Sequence, residues 1–317
     1  MWFIFALITM LAWGAADMFY KKGANPAESS TGLRTVIMVG LVMGAHAIIY
    51  GLFADVSFSA HDMLRYLPVS FFYILSMFLG YVGLRYLLVS VSSPIQNSSG
   101  AVTLILCCVL FVQALGLLDI IGSVMICVGV FILAVLEKRL NKEPQPELKD
   151  KKHTISAFAI LFPIAYCILD SMGTFLDAIY LGEAENAARF SWLSRILDGF
   201  EIMNEDTALI AYELTFLAVG IIAFLYLRFI RKERFTFYGE RDRFFASLCE
   251  TAGQFTYVRA MAGRAVIAAP MVAAYSIVSL ILGRIFLKEK LTKKQYIVVA
   301  LIMLGIVLLG VSEGLSE

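Results

Sequence analysis

Residues 81–133 read YVGLRYLLVSVSSPIQNSSGAVTLILCCVLFVQALGLLDIIGSVMICVGVFIL, and residues 257–309 read YVRAMAGRAVIAAPMVAAYSIVSLILGRIFLKEKLTKKQYIVVALIMLGIVLL. One fixed shift, without a gap, carries Tyr81 onto Tyr257, Val82 onto Val258, Pro94 onto Pro270 and Val102 onto Val278. It also carries Leu104, Ile105 and Leu106 onto Leu280, Ile281 and Leu282, Leu115 onto Leu291 and Gly129 onto Gly305. A second, shorter shift carries Leu11, Ala12, Trp13 and Asp17 onto Ile164, Ala165, Tyr166 and Asp170. The two shifts differ, so the second half has gained residues between these anchors. Leu, Ile, Val and Gly recur by chance in any apolar chain; paired prolines, tyrosines and aspartates at fixed offsets do not. One unit used twice in an apolar chain is the pattern of a membrane transporter, whose site lies where the two copies meet.

Composition places the chain in lipid. Of its 317 residues 60% are hydrophobic and 16% charged, against about 25% charged in an average soluble domain. The net charge of +1 lacks the basic excess that a nucleic-acid partner requires. Cys107, Cys108, Cys127, Cys167 and Cys249 all fall in apolar segments without metal-ligand spacing and read as small core residues. Met1 leads straight into an apolar run with no charged leader, so the first segment is expected to stay in the membrane.

Charged and turn-rich breaks divide the chain into ten apolar segments of spanning length, near 2–20, 32–53, 67–86, 90–111, 117–136, 155–180, 207–229, 244–262, 266–287 and 295–313. Helices are expected, because only helices and closed barrels satisfy their backbone groups in lipid and no strand alternation appears. The reading is an all-α polytopic membrane protein. Five spans per half is an odd number, which sets the two five-helix repeats in inverted orientations. The expected units are residues 1–136, a charged linker at 137–154 containing Pro144 and Pro146, and residues 155–317. The second unit carries an acidic insertion at about 181–206, where Leu193, Ile196, Leu197 and Phe200 recur at helical spacing. Two readings of it stay open: an amphipathic helix on the membrane surface, or a solvated extension of the sixth helix.

Trp13 and Gly14 late in the first helix, Pro94 and Pro270 early in the fourth and ninth, and the run from Phe286 to Thr292 before the last helix resemble the repeated motif of EamA-type proteins of the drug/metabolite transporter (DMT) superfamily. The likeness covers nearly the whole chain. Gln113, where the acid matching Glu289 is usual, Lys288 in place of a glycine, and the insertion after Tyr180 depart from the pattern. The resemblance implies a ten-helix bundle of two inverted repeats, a central cavity and alternating access. It also implies cytoplasmic termini, whereas the Lys- and Arg-rich fifth, seventh and ninth loops place both termini outside by the positive-inside rule.

An ionisable side chain at membrane depth is costly unless it faces a cavity or a partner. In the first helix Trp13, Asp17 and Tyr20 share one face; in the sixth Tyr166, Asp170, Thr174 and Asp177 do, after Pro163; in the eighth Glu250, Gln254, Tyr257 and Met261 do. Asp17, Asp170 and Glu250 are the expected proton-coupling groups, since carboxylates in a cavity take up and release protons as it opens to either side. Trp13, Asp17, Tyr81, Gln96, Asn97, Tyr166, Asp170, Thr174, Gln254, Tyr257 and Tyr275 are the expected substrate contacts; carboxylates beside aromatic faces suit an organic cation. Asp177 and Glu213 are read as reaching the interface, His46 as a packing or hydrogen-bonded residue, and Arg85 and Arg259 as snorkelling to headgroups, with an anionic substrate group as the alternative partner of Arg259.

These features point to a secondary transporter exporting a small metabolite, such as an amino acid or amine, across the plasma (inner) membrane in exchange for protons. The expected partners are the bilayer, a small-molecule substrate and protons, with no cofactor, metal or nucleic acid. Two other classes stay open: a non-transporting sensor or assembly partner docking through the acidic insertion, and a membrane enzyme acting on a lipid headgroup. Against the enzyme stands the want of a metal cluster, nucleotide loop or nucleophile motif.

Overall fold

The computed structural model describes residues 1–23, 28, 30–54, 56–83, 96, 98–112, 115–140, 161–182, 188–198, 201–286 and 292–316. Residues 141–154 of the expected linker, Arg85, Pro94, Asn97, Gln113, Lys288, Glu289 and the side chain of Tyr81 lie outside the described residues. The described chain is helical throughout: α1 (Trp2–Gly23), α2 (Thr31–Phe53), α3 (Ala60–Gly83), α4 (Ser99–Leu110), α5 (Leu117–Leu140), α6 (Leu161–Tyr180), α7 (Ser191–Leu197), α8 (Glu205–Leu225, continued by a π-helical turn Tyr226–Ile230), α9 (Phe237–Ala273), α10 (Tyr275–Phe286) and α11 (Lys293–Ser316). Seven helical stretches are long and apolar enough to cross a bilayer, and Ser99–Leu110 and Leu117–Leu133 are shorter apolar helices.

One of the seven, Tyr238–Gly283, has 46 residues. Drawn straight it would measure about 70 Å at 1.5 Å per residue, more than twice the ~30 Å hydrocarbon core. The backbone leaves the helical region at Arg264 (φ −157°, ψ 73°), and the neighbours along α1 show that the run folds back there. Gly263 meets Trp2, Gly253 meets Trp13 and Arg243 meets Gly23, an antiparallel order; Gly14 then meets Val278, and Asp17 meets Ser279, in parallel order. The break expected between residues 262 and 266 is therefore a hairpin, and both of its arms flank α1.

Helices in lipid gain no hydrophobic drive toward one another, so association depends on close backbone approach and hydrogen bonds. Two pairs cross at glycines. A Cβ on Gly40 of α2 would lie 2.6 Å from the Phe216 carbonyl oxygen of α8 and 3.2 Å from the Gly220 Cα; one on Gly122 of α5 would lie 2.9 Å from the Gly305 oxygen of α11. The other main pairings are α1 with the first arm of α9, and α3 with α6.

The acidic insertion matches neither of its two readings in full. Helix α6 stops at Tyr180, and Gly182 takes a left-handed φ of 118° that glycine tolerates without strain, so the sixth helix is not extended. The helix α7 that follows is a short one. The segment before it docks on the end of α4: Phe111 and Ala188 form an isolated antiparallel bridge, and the Arg189 amide donates to the Leu110 oxygen at 2.9 Å. Leu193 is buried against Phe111, Phe175 and Ile179. Phe190 and Trp192, stacked at 6.2 Å, and Ile196 stay exposed, the aromatic edge expected of a segment lying at headgroup depth.

Candidate functional site

The three acid-and-aromatic stripes meet. Trp13 of α1 lies on α9 because Gly253 leaves room for it; a Cβ there would sit 2.3 Å from Trp13 Cδ1. Its indole Nε1 donates to the Glu250 carbonyl oxygen at 3.3 Å. The Tyr257 ring lies 5.0 Å from the Trp13 ring and the Tyr275 ring stands edge-on at 6.3 Å. One turn further along α1, Asp17 accepts a hydrogen bond from Ser279 of α10.

Helix α6 brings the matching pair from the other direction. Tyr166 rests against Gly80 of α3, whose Cβ position lies 2.9 Å from the ring and 3.2 Å from Gln96 Nε2. Asp170 accepts from Ser76 of α3 at 3.4 Å and from Ser99 of α4. Thr174 accepts from the Tyr73 hydroxyl at 3.1 Å, and Tyr73 shares a 2.7 Å hydrogen bond with Tyr257. That hydroxyl pair joins the α6 stripe to the α9 stripe. Glu250 lies within electrostatic range of both Asp17 and Asp170. Gln254 is buried on the same helix.

The arrangement brings together Trp13, Asp17, Gln96, Tyr166, Asp170, Thr174, Glu250, Tyr257 and Tyr275. Sequence reasoning missed Tyr73, Ser76 and Ser279. The spacing of Tyr73, Ser76 and Gly80 on one face of α3 was a usable signal, whereas Ser279 in an apolar run gave none. Three other readings are corrected. Asp177 and Glu213 are fully buried and do not reach the interface: Asp177 accepts from Tyr66, and Glu213 meets His46 Nδ1 at 2.8 and 2.9 Å. His46 is hydrogen-bonded, as the sequence reading allowed, and its partner is a buried acid. Arg259 turns inward, its guanidinium 3.8 Å over the Phe255 ring and hydrogen-bonded to Asp206 and to the Tyr50 hydroxyl, because a partner within reach outweighs the path to headgroups.

The two faces of the bundle are closed differently. On the face away from the termini, Arg34 of α2 pairs with Glu28 at 2.9 Å, Glu233 at 3.0 Å and Glu240 at 2.5 Å. Arg243 pairs with Glu28 at 2.8 Å and Glu240 at 2.6 Å. Burial alone would push the Glu233 carboxyl up, but hydrogen bonds from Ser30 and Arg34 outweigh it and hold it below the usual carboxylate value. On the terminal face a cavity of about 550 Å³ is lined by Met1, Phe5, Leu181, Glu205, Arg259 and Glu313, among others. Phe5 lies about two turns, ~12 Å, before Trp13 on α1. Among the described residues no group of three or more His, Cys, Asp or Glu is placed to hold a metal ion.

A solved crystal structure titled only as that of a protein shares the fold, with a TM-score of 0.69 and 12% identity over 99% of this chain and 98% of the other. A search of curated proteins finds no match. The model of the EamA-like transporter family matches residues 1–135 and 204–311. With most of its length matched, this multi-pass membrane chain belongs to the EamA-like transporter family, within the DMT superfamily.

Proposed function

We propose that this transporter exports a small cationic or zwitterionic metabolite, an amino acid or amine, across the plasma membrane in exchange for protons. The observation that carries the reading is the convergence of Asp17, Asp170 and Glu250 beside Trp13, Tyr257 and Tyr275. Like charges so placed repel, and either a proton or the cationic end of a substrate relieves the repulsion. Competition for the same carboxylates is what couples the two fluxes: a substrate that binds displaces a proton, and a proton that returns expels the substrate. The aromatic faces add cation-π attraction, and the Tyr73 and Thr174 hydroxyls supply hydrogen bonds that fix orientation.

Alternating access follows from two inverted five-helix repeats, residues 1–136 and 155–317, joined by the linker at 137–154. The helix pairing supports that division. Exchanging the halves turns the pairing of α1 with the first arm of α9 into that of α6 with α3, and the pairing of α1 with α10 into that of α6 with α4. The pairs α2 with α8 and α5 with α11 map onto themselves, as a two-fold relation demands. The Arg34 and Arg243 network then acts as the latch on one face while the terminal face holds the cavity.

The test is proton flux in proteoliposomes enclosing a pH dye, screening amino acids, polyamines and organic cations, with Asp17→Asn and Asp170→Asn in parallel. A cation that drives flux in the wild type but not in either variant supports the reading. Solute equilibration without proton flux, or transport of dicarboxylates or sugar phosphates alone, contradicts it.

A further inference from the structure

Outside the central cluster, Glu213 of α8, like Asp177 of α6, is an acid with no exposed surface. Both of its oxygens meet one atom, Nδ1 of His46 on α2, at 2.8 and 2.9 Å. Two lone pairs cannot face one another at that separation, so a hydrogen lies between Nδ1 and the carboxyl group, carried by one or the other. With that hydrogen alone on a neutral ring the pair carries a net charge of −1 at membrane depth; with one further proton on the pair it is neutral. Burial without a net charge is far cheaper than burial with one, so a proton here is held by the protein's own electrostatics.

The surroundings fit a site that exchanges its proton with one side. The imidazole stacks on Tyr50 at 5.6 Å and stands edge-on to Phe255 at 5.8 Å, and its side chain keeps 30% exposure. Three groups face the pair: Tyr50 on α2, Asp206 at the start of α8 and Arg259 on α9. They bond among themselves, since Tyr50 donates to Asp206 at 3.0 Å and Arg259 donates to both. Arg259 is thereby neutralised by Asp206 and leaves the charge of Glu213 to His46. On α3, Tyr66 and Tyr73 turn to Asp177 and Tyr257, and on α8 Tyr212 packs against Tyr73 and Phe216. Arg259 also lines the terminal-face cavity.

We infer that His46 and Glu213 form a second proton-binding site, separate from the central carboxylates and placed where α2 of one half crosses α8 of the other. Proton binding here stands on its own geometry; its link to transport rests on the proton-coupled reading above. A site between the two crossing helices responds to any change in that crossing. Movement of α2 against α8 separates Nδ1 from the carboxylate and forces the proton to leave or Glu213 to take one.

The experiment uses histidine-labelled full-length protein in lipid nanodiscs, followed by NMR across pH. The chain has three histidines, His46, His61 and His153, and His46→Gln assigns the signal. The expected result is an imidazole that titrates, with a midpoint that Glu213→Gln moves by about one unit or more and Asp17→Asn leaves in place. In proteoliposomes, Glu213→Gln should move fewer protons per substrate while substrate affinity holds. If Glu213→Gln does not fold, His46→Gln, at a partly exposed position, is carried through the same stoichiometry measurement. A His46 signal that ignores pH, or variants that leave both midpoint and stoichiometry unchanged, overturns the inference. A wild type that titrates at His46 but shows no substrate-driven flux leaves the proton site standing and removes the coupled-transport reading instead.

Discussion

Two clusters of acids sit in the same bundle and are treated in opposite ways. Glu28, Glu233 and Glu240, on the face away from the termini, are gripped by Arg34 and Arg243 at 2.5 to 3.0 Å. Asp17 and Asp170, deeper in the bundle, receive hydroxyl hydrogen bonds, and the charges of both reach Glu250. The first group has its counter-charge built in and is committed to holding helices together. The second sits among hydroxyls and aromatic rings. Acid content alone therefore does not mark a site; the groups that surround the acids do.

The comparison can be broken most decisively by neutralising one acid from each cluster. Glu250→Gln removes the carboxylate on which both aspartates act, and substrate-driven proton flux should fall to background while the thermal midpoint holds. Glu240→Gln should do the reverse, lowering the midpoint while flux per folded protein persists. Next in size, Arg34→Ala takes one base from three carboxylates and leaves Arg243 to hold Glu28 and Glu240. Truncating one partner of a buried ion pair costs about 3 to 5 kcal/mol, and Arg34 is nearly buried with 10% side-chain exposure. A large loss of midpoint is expected, together with faster labelling of cysteines introduced between α2 and α9 on that face.

A smaller effect sharpens the description of the aromatic wall. Gly253→Ala places a methyl on the Trp13 ring edge, and overpacking of that kind costs about 1 to 3 kcal/mol. Trp13 must shift away from Tyr257, so substrate affinity should weaken and indole emission should move, with Trp2 and Trp192 replaced by Phe to isolate the signal. The smallest effect is the pH response of the latch. Hydrogen bonds hold the Glu233 carboxyl below its ordinary value, so its stabilisation is complete above the unfolded-state value and is lost as pH falls through the folded one. Glu233→Gln should flatten the acidic limb of stability against pH, by about 1 kcal/mol or less for a partly exposed pair.

Much of this was legible in the sequence. Trp13 with Asp17, and Tyr166 with Asp170, stood out because helical spacing and the repeated sequence pattern marked the same positions twice. The break at Arg264 was legible too, because a continuous apolar run of that length cannot cross a bilayer once. What stayed hidden was partnership across helices. Ser279 lies in an apolar run that names no neighbour on α1, and the spacing of Tyr73, Ser76 and Gly80 marks a face of α3 without naming the groups on α6 that it meets. Arg259 was misread for the same reason: headgroup snorkelling is the default for a side chain considered alone, and Asp206 comes from a distant part of the chain to overrule it.

The central claim is that proton and substrate compete for one set of carboxylates. Its most direct test is proton release from purified protein in weakly buffered nanodiscs on adding a transported amine or amino acid found in the flux screen, measured with Asp17→Asn, Asp170→Asn and Glu250→Gln alongside. The account predicts that binding releases protons in proportion to sites filled, more at lower pH, and that each variant reduces the release. Saturable binding with no proton release at any pH, or release unchanged in all three variants, would contradict it.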